Sequence, residues 1–296
     1  DALRRQARLE VAVGEGPALP ATGYRTTLRG MAVDGRFALR ERRGHGLVAV
    51  DPCLVAHPLL AEVVAEGRFP DGEVVLRAGA RTGERLVVVH GDPETASVPE
   101  GVRVVSGAQL AAGTRAWIHE EVAGRRWRVS ARSFFQARAD GADALVEAVA
   151  EGLGPAAGTD GHLVDLYGGV GLFAGALPTT GPVTVVEQSP SSVADARVNL
   201  ADRDARIVRA DVDHWGPARA AALVADPPRA GLGREGVRRV AATEAPVVVL
   251  VSCDPAALGR DAHLLDEAGY TLVTCELVDL FPHTSHVEVV TRFDRR

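Results

Sequence analysis

From His162 onward the chain follows a rhythm that few folds can satisfy. Apolar, β-branched runs (HLVDLY, VTVVE, RIVRAD, ALVAD and VVVLVS) are interleaved with segments of helical spacing, GLFAGAL, SPSSVADARVNLADR, GREGVRRVAA and DPAALGRDAHLLDEAG. Strands joined through helices run parallel, and the helices then cover both faces of the sheet. The pattern predicts an α/β unit with an open, doubly wound, mostly parallel sheet. A helix in QARADGADALVEAVAEGL precedes it, and two β-like runs in YTLVTCELVDLFPHTSHVEVVTRFD close it as an antiparallel hairpin. In such sheets ligands sit beyond the carboxyl ends of the strands. The predicted strands end at Asp165, Glu187, Asp211, Asp226 and Cys253, so the fold gathers acids and a thiol on one rim.

The region before this has a different texture. YRTTLRGMAV, RFALRERR, GLVAVD, EVVLRAGA, ERLVVVHG, TRAWIHEEV and RRWRVSA are short alternating runs separated by Gly, Asp and Pro. They predict a mostly antiparallel β-rich domain with one helix near HPLLAEVVAEG. Two domains are expected, residues 1–130 and 131–296. A chain of 296 residues, 46% hydrophobic and 24% charged, can bury a core in each. The apolar stretches fall short of the roughly 18 residues a membrane helix needs, and DALRRQARLE does not read as a signal peptide. A cytoplasmic monomer is expected. Cys53, Cys253 and Cys275 are too few and too scattered for a disulfide framework.

A net charge of −6 argues against a general nucleic-acid binder, but the distribution argues the other way. All 33 basic residues are arginine. Arg25, Arg29, Arg36, Arg40, Arg42 and Arg43 form one cluster, and Arg125, Arg126, Arg128 and Arg132 surround Trp127. These are either phosphate contacts or simply solvated surface.

The rim residues carry the chemistry. In DLYGGVGLF the glycines allow a sharp turn and a close ligand approach, and Glu187 ends the next strand, where it can accept from ribose hydroxyls. Gly169, Gly171 and Ala174 also match a loose dinucleotide fingerprint, so a nicotinamide cofactor stays open. Asp165 ahead of the glycines suits a cationic ligand, and Asp211 suits an adenine amino group; both favour S-adenosylmethionine. Strand-end acids also serve as turn and helix caps. Asp226 leads into two stiff prolines. Cys253 stands just before a helix start at Asp254 and Pro255, where the positive helix end favours thiolate, although a buried apolar cysteine is the commoner use of such a position. His283, His286 and Glu288 lie close together, but no further ligand spacing accompanies them and no metal is expected.

Taken in order, SFFQ, DLYGGVGLF, VVEQSPSSVADARVNL, ADPPRAGL, VSCDPAALGRD and LVDLFPHTSHVE resemble the RNA uracil-C5 methyltransferase family, which makes 5-methyluridine in tRNA and rRNA. The resemblance is specific over residues ~130 to 296 and fainter in GYRTTLRGMAV and DPCLVAHPLL. It implies a class I methyltransferase fold with a seven-stranded sheet, S-adenosylmethionine as cofactor, and RNA as partner through an unstacked loop uridine. It implies Cys253 as nucleophile and Glu288 as proton acceptor. Gln136, Asp165, Tyr167, Gly169, Gly171, Glu187, Asp211 and Asp226 are the expected cofactor residues. Arg25, Arg29, Phe135, Asp226 and His286 are the expected RNA or base contacts. Trp127, Phe134 and Phe135 could stack on bases, though core packing is the expected role. Gly168 stands where the family commonly has cysteine, with little consequence expected. Cys53 resembles the last of four iron–sulfur cysteines found in some members, and without the other three a cluster is not expected in this chain. Another pyrimidine-C5 methyltransferase, or an idle RNA-binding module on the same fold, is the alternative.

Overall fold

The computed structural model describes residues 2–41, 44, 46–50, 52–158 and 160–296; Arg42 and Arg43 of the first arginine cluster lie outside the described residues. The chain divides into two compact units, residues 1–19 with 140–296, and residues 20–139. Among the described residues no helix is long and apolar enough to cross a membrane.

Strand β1 (Val13–Glu15) belongs to the first unit. The second unit holds β2 (Thr27–Val33), β3 (Arg36–Arg40), β4 (Leu47–Ala49), α1 (Pro58–Glu66), β5 (Gly72–Ala78), β6 (Arg85–Val89), β7 (Val102–Ser106), α2 (Gly107–Ala111), β8 (Trp117–Val122) and β9 (Arg125–Ser130). Six of its strands form one sheet in the order β4-β3-β2-β5-β6-β7, antiparallel except for β6 with β7. Alternation along β2 buries Leu28 and Ala32 against Leu60, Val63 and Val64 of α1 and leaves Arg29 on the open face. The β8–β9 hairpin buries Trp127, whose indole Nε1 donates to the Val122 carbonyl at 3.0 Å, so this ring is core. Phe134, by contrast, is 66% exposed.

The first unit continues with α3 (Ala139–Leu153), β10 (Leu163–Leu166), α4 (Leu172–Ala176), β11 (Val183–Glu187), α5 (Pro190–Asn199), β12 (Ala205–Arg209), β13 (Ala222–Ala225), α6 (Gly233–Ala242), β14 (Val247–Ser252), α7 (Pro255–Glu267), β15 (Tyr270–Val278) and β16 (Glu288–Arg295). Their sheet has the order β1-β15-β16-β14-β13-β10-β11-β12. Only β16 runs antiparallel to its neighbours. The central strands LVDL, ALVA and VVVLVS are buried almost throughout, as strands covered on both faces must be. From β10 the chain winds outward through β11 and β12, then returns to β13 on the other side of β10. That reversal puts the topological switch point at the carboxyl ends of β10 and β13, the place where doubly wound sheets bind ligands.

Two expectations need correction. The sheet has eight strands rather than seven, because β1 adds in parallel to β15, with Val13 opposite Cys275. The division between units also falls later than residue 130. After β9 the chain stays tied to the second unit: Ala137 O accepts from Thr26 N at 2.7 Å, and Ser133 O accepts from Arg77.

Candidate active site

The glycine turn after β10 is held from three sides. Tyr167 adopts a left-handed backbone, φ +59°, a conformation that bulky residues keep only where the surroundings impose it. Gly168 N donates to Val186 O at 3.2 Å, and Gly169 N donates to Glu187 Oε2 at 3.0 Å. Asn199, at the end of α5, donates from Nδ2 to Val170 O at 3.0 Å. Glu187 also accepts from Ser189 N at 2.6 Å, so one carboxylate fixes both the turn and the start of α5. A Cβ on Gly169 would meet nothing within 4 Å, whereas one on Gly168 would come within 2.6 Å of Val185 Cγ1 and 3.0 Å of the Asp165 carboxyl. The turn is therefore open on the Gly169 side and closed on the Gly168 side, and position 168 matters more for packing than its sequence context suggests.

Asp165 is fully buried, and burial pushes its carboxyl up to about 7, with Asp226 and Glu187 adding to the rise. Its Oδ2 accepts from Ala174 N at 3.0 Å, while Oδ1 is buried with no hydrogen-bond partner. An acid left in this state is a cost that a cationic or hydrogen-bonding ligand can offset. Asp211 is exposed and caps the short turn Val212–His214 through Asp213 N at 3.0 Å. Tyr167 packs against the core, and burial together with Asp213, Asp211 and Asp261 pushes its hydroxyl well above the ordinary range.

The expected nucleophile and proton acceptor come together at the next strands. In the antiparallel β14/β16 ladder Ser252 pairs with Val289, the residues next to Cys253 and Glu288. On the other side β13 runs parallel to β14, and Asp226 follows its last residue; Asp226 N donates to Leu166 O at 3.3 Å, which ties it to the glycine-turn strand. Glu288 is 7% exposed, and burial plus the nearby Asp226 push it up to about 8. Asp226 keeps some surface as a residue, yet its carboxyl is enclosed, and burial pushes it up to about 7. The Cys253 thiol is half-buried and is also pushed up, first by burial, then by Glu288 and Asp226. Asp254 caps α7 through Ala257 N at 2.8 Å. The helix end expected to favour thiolate is therefore outweighed by burial and two acids.

One cation opposes them. Arg229, three residues past Asp226, pulls down both the Cys253 thiol and the Glu288 carboxyl. Its guanidinium lies 3.3 Å from His286 Nε2, and His286 stands edge-on to Phe281 with ring centroids 6.4 Å apart. Sequence reasoning missed Arg229; the signal was an arginine directly after the two prolines of a loop already singled out for Asp226. His283 has a left-handed backbone, φ +67°, in the same β15–β16 connection.

Of the expected site residues, the first unit places Asp165, Tyr167, Gly169, Gly171, Glu187, Asp226 and Cys253 at or just past the carboxyl ends of its parallel strands, His286 in the β15–β16 connection and Glu288 at the start of the antiparallel β16, with Asp211 just past β12. Gln136, Phe135, Arg25 and Arg29 belong to the other unit. There Gln136 is buried and Phe135 half-buried. Arg25 donates to Thr27 O at 3.1 Å, and Arg29 is exposed with a loose ion pair to Glu73 at 3.6 Å. Strands β2 and β3 pair with Met31 opposite Ala38, and Arg29 and Arg40 line one surface cavity together with Glu73 and His90. Cys53 is half-buried against the core under α1.

The tRNA (uracil-5-)-methyltransferase family profile matches residues 206–296, the stretch that contains Asp226, Cys253 and Glu288. An uncharacterized RNA methyltransferase of Streptomyces avermitilis is 36% identical over 93% of this chain and 69% of its own length. The chain belongs to this RNA methyltransferase family. A relative from Streptomyces coelicolor, also an uncharacterized RNA methyltransferase, is 36% identical over 93% of the chain and 65% of its own length, so the chain spans about two thirds of that relative. The fold agrees with a solved structure, the tRNA (uracil-54, C5)-methyltransferase of Pyrococcus abyssi in complex with S-adenosyl-L-homocysteine. The two share 24% identity and a TM-score of 0.75, over 98% of this chain and 80% of that one.

Proposed function

We propose that the protein is an S-adenosylmethionine-dependent RNA methyltransferase that forms 5-methyluridine at an unstacked loop uridine of tRNA or rRNA, through a covalent adduct on Cys253. The observation that carries this reading is that the β14/β16 register runs up to Ser252 opposite Val289, the residues next to Cys253 and Glu288, and that Glu288 and the Asp226 just past β13 both act on the Cys253 thiol.

Uracil C5 is too poor a nucleophile to take a methyl group unaided. Cys253 adds through sulfur to C6, which leaves C5 as an enolate carbon and divides one hard step into two. S-adenosylmethionine, when bound, supplies an electrophilic methyl group. Its residues would be Glu187 and Asp211 for ribose and adenine, and the turn at Gly169 and Gly171 with Asp165 and Tyr167 for the amino-acid end; the unpartnered Asp165 Oδ1 and the open side of Gly169 support that fit. Glu288 accepts the C5 proton, and the electron pair left at C5 expels the thiolate from C6, restoring the ring. A carboxyl lifted to about 8 is, once ionised, a stronger base than an ordinary glutamate, and the fraction able to accept the proton grows as pH rises towards 8. Asp226 holds the polar edge of the pyrimidine, and His286, beside Arg229, faces the target nucleotide. Like charges repel, so Arg29 and Arg40 lining one surface cavity suit RNA phosphates, with Arg25 and Phe135 contributing in the same unit.

Incubation with RNA carrying 5-fluorouridine tests the reading, because fluorine cannot leave as a proton and the adduct accumulates. A stable protein–RNA species that vanishes in Cys253→Ala is expected. An adduct that persists in that variant would refute the assignment. Cofactor-dependent methylation of RNA separates an active enzyme from an idle binding module.

A further inference from the structure

The loop that follows β13 is anchored at its far end to α7, the helix that starts beside Cys253. Asp261 lies two turns into α7 and is 1% exposed. Its Oδ2 accepts from Leu232 N at 2.7 Å, and its Oδ1 accepts from Gly233 N at 3.1 Å. Arg260 donates to Oδ1 from Nε at 3.0 Å and from its terminal amine at 2.7 Å, and the same guanidinium donates to Ala230 O. Gly231 turns with φ +72°, and a Cβ there would lie 2.1 Å from Asp261 Oδ2, so the backbone approaches the carboxylate as closely as a glycine allows. Gly231 N closes the turn on Pro228 O at 2.7 Å. Arg229 sits inside that turn.

Charge-assisted bonds from a buried carboxylate to backbone amides are strong and geometrically exacting. The near end of the loop is fixed by β13 and the far end by Asp261, so the position of Arg229 is set by both. Arg229 is the cation that opposes Asp226 and Glu288 at the thiol. We infer that Asp261 is a positioning residue for the reaction: its carboxylate latches the Asp226–Arg229 loop to the helix of the nucleophile and so fixes the charges around Cys253. The inference rests on Cys253 being the nucleophile of the proposed function.

The test is the pH dependence of Cys253 alkylation by iodoacetamide in the full chain, mapped by peptide mass spectrometry so that Cys53 and Cys275 are counted apart. In Asp261→Asn, Arg229 is no longer held. The alkylation midpoint then moves to higher pH, with about a tenfold slower reaction below it for each pH unit of movement. In an Arg229→Gln background the same substitution adds nothing, because both act through one route. A folded Asp261→Asn chain with a native profile overturns the inference, as does an equal further movement in the Arg229→Gln background. Should Asp261→Asn fail to fold, Arg260→Met removes only the exposed half of the latch; a smaller movement in the same direction supports it, and none overturns it. A native chain that methylates no RNA, while the variants show the expected midpoint movements, counts against the proposed function and not against the latch.

Discussion

Replacing Glu288 with glutamine separates the energetic cost of its charge from its chemical use. Burial and Asp226 lift this carboxyl from an ordinary 4.5 to about 8. The folded state therefore holds a proton that the unfolded chain has already released between those pH values, and stability falls as pH rises through that window. A gap of about 3.5 pH units at about 1.36 kcal/mol each amounts to roughly 5 kcal/mol by pH 9. Part of that belongs to the Asp226 charge rather than to Glu288 alone, so the gain expected for Glu288→Gln at pH 9 is about 2–5 kcal/mol. At pH 5, where the native carboxyl is neutral in the fold, the difference should shrink below about 1 kcal/mol. Urea unfolding at pH 5, 7 and 9, followed through Trp215 emission against a Trp215→Phe blank, reads the unit that carries the site. A difference that is equal at pH 5 and pH 9, or a variant less stable than the native chain at pH 9, would show that Glu288 is not held as a buried acid.

The same acid should act on its neighbour: Glu288→Gln lowers the pH midpoint for Cys253 alkylation and Arg229→Gln raises it, as their opposed charges require, and identical midpoints in both variants would remove the electrostatic account. Gly168→Ala drives a methyl group to 2.6 Å from Val185 Cγ1, with an expected loss of about 1–3 kcal/mol in urea unfolding; combining it with Val185→Ala should cost less than the sum of the two, and strict additivity would refute the clash. Arg29→Gln and Arg40→Gln should each weaken RNA binding across sequences and reduce the slope of log affinity against log salt by about 1, and an unchanged slope would remove that face from the RNA interface.

The parallel sheet was legible because its central strands are apolar on both faces and end in residues that do not belong in a strand. Asp226 and Cys253 each stop an apolar run, Asp165 stands one residue before the end of β10, and the topology then brings them to one rim. Strand β1 was not legible: all three of its residues are exposed, so no burial pattern marks it, and only its pairing with β15 makes it a strand. Strand β7, VRVVS, pairs in parallel with β6 alone and escaped notice in a region of short antiparallel runs. Arg229 and Asp261 lay within motifs noticed for other residues. What they do depends on distances to elements far away in sequence, which spacing along the chain does not encode.

The chemistry also explains why an otherwise parallel sheet ends in an antiparallel strand. A strand entering β16's place in parallel would bring its first residue to the amino end of β14, far from the rim. Running antiparallel, β16 begins where β14 ends, so Glu288 arrives at the rim as its first residue, near enough for its charge to act on the Cys253 thiol. Register then decides function, because a slip of one residue turns every side chain of β16 to the opposite face and puts Val287 or Val289 in the place of Glu288. The buried pairs on both sides resist that slip: Leu250 opposite Thr291, whose Oγ1 donates to Leu250 O at 3.0 Å, and Val278 opposite Glu288 itself. The irregularity in β15 lies at Val273, between Leu272 and Thr274, at the end remote from the rim. Its extra residue is taken up where it cannot disturb the placement of Glu288 near Cys253, so the hairpin closes the sheet and positions the proposed base and nucleophile with the same set of bonds.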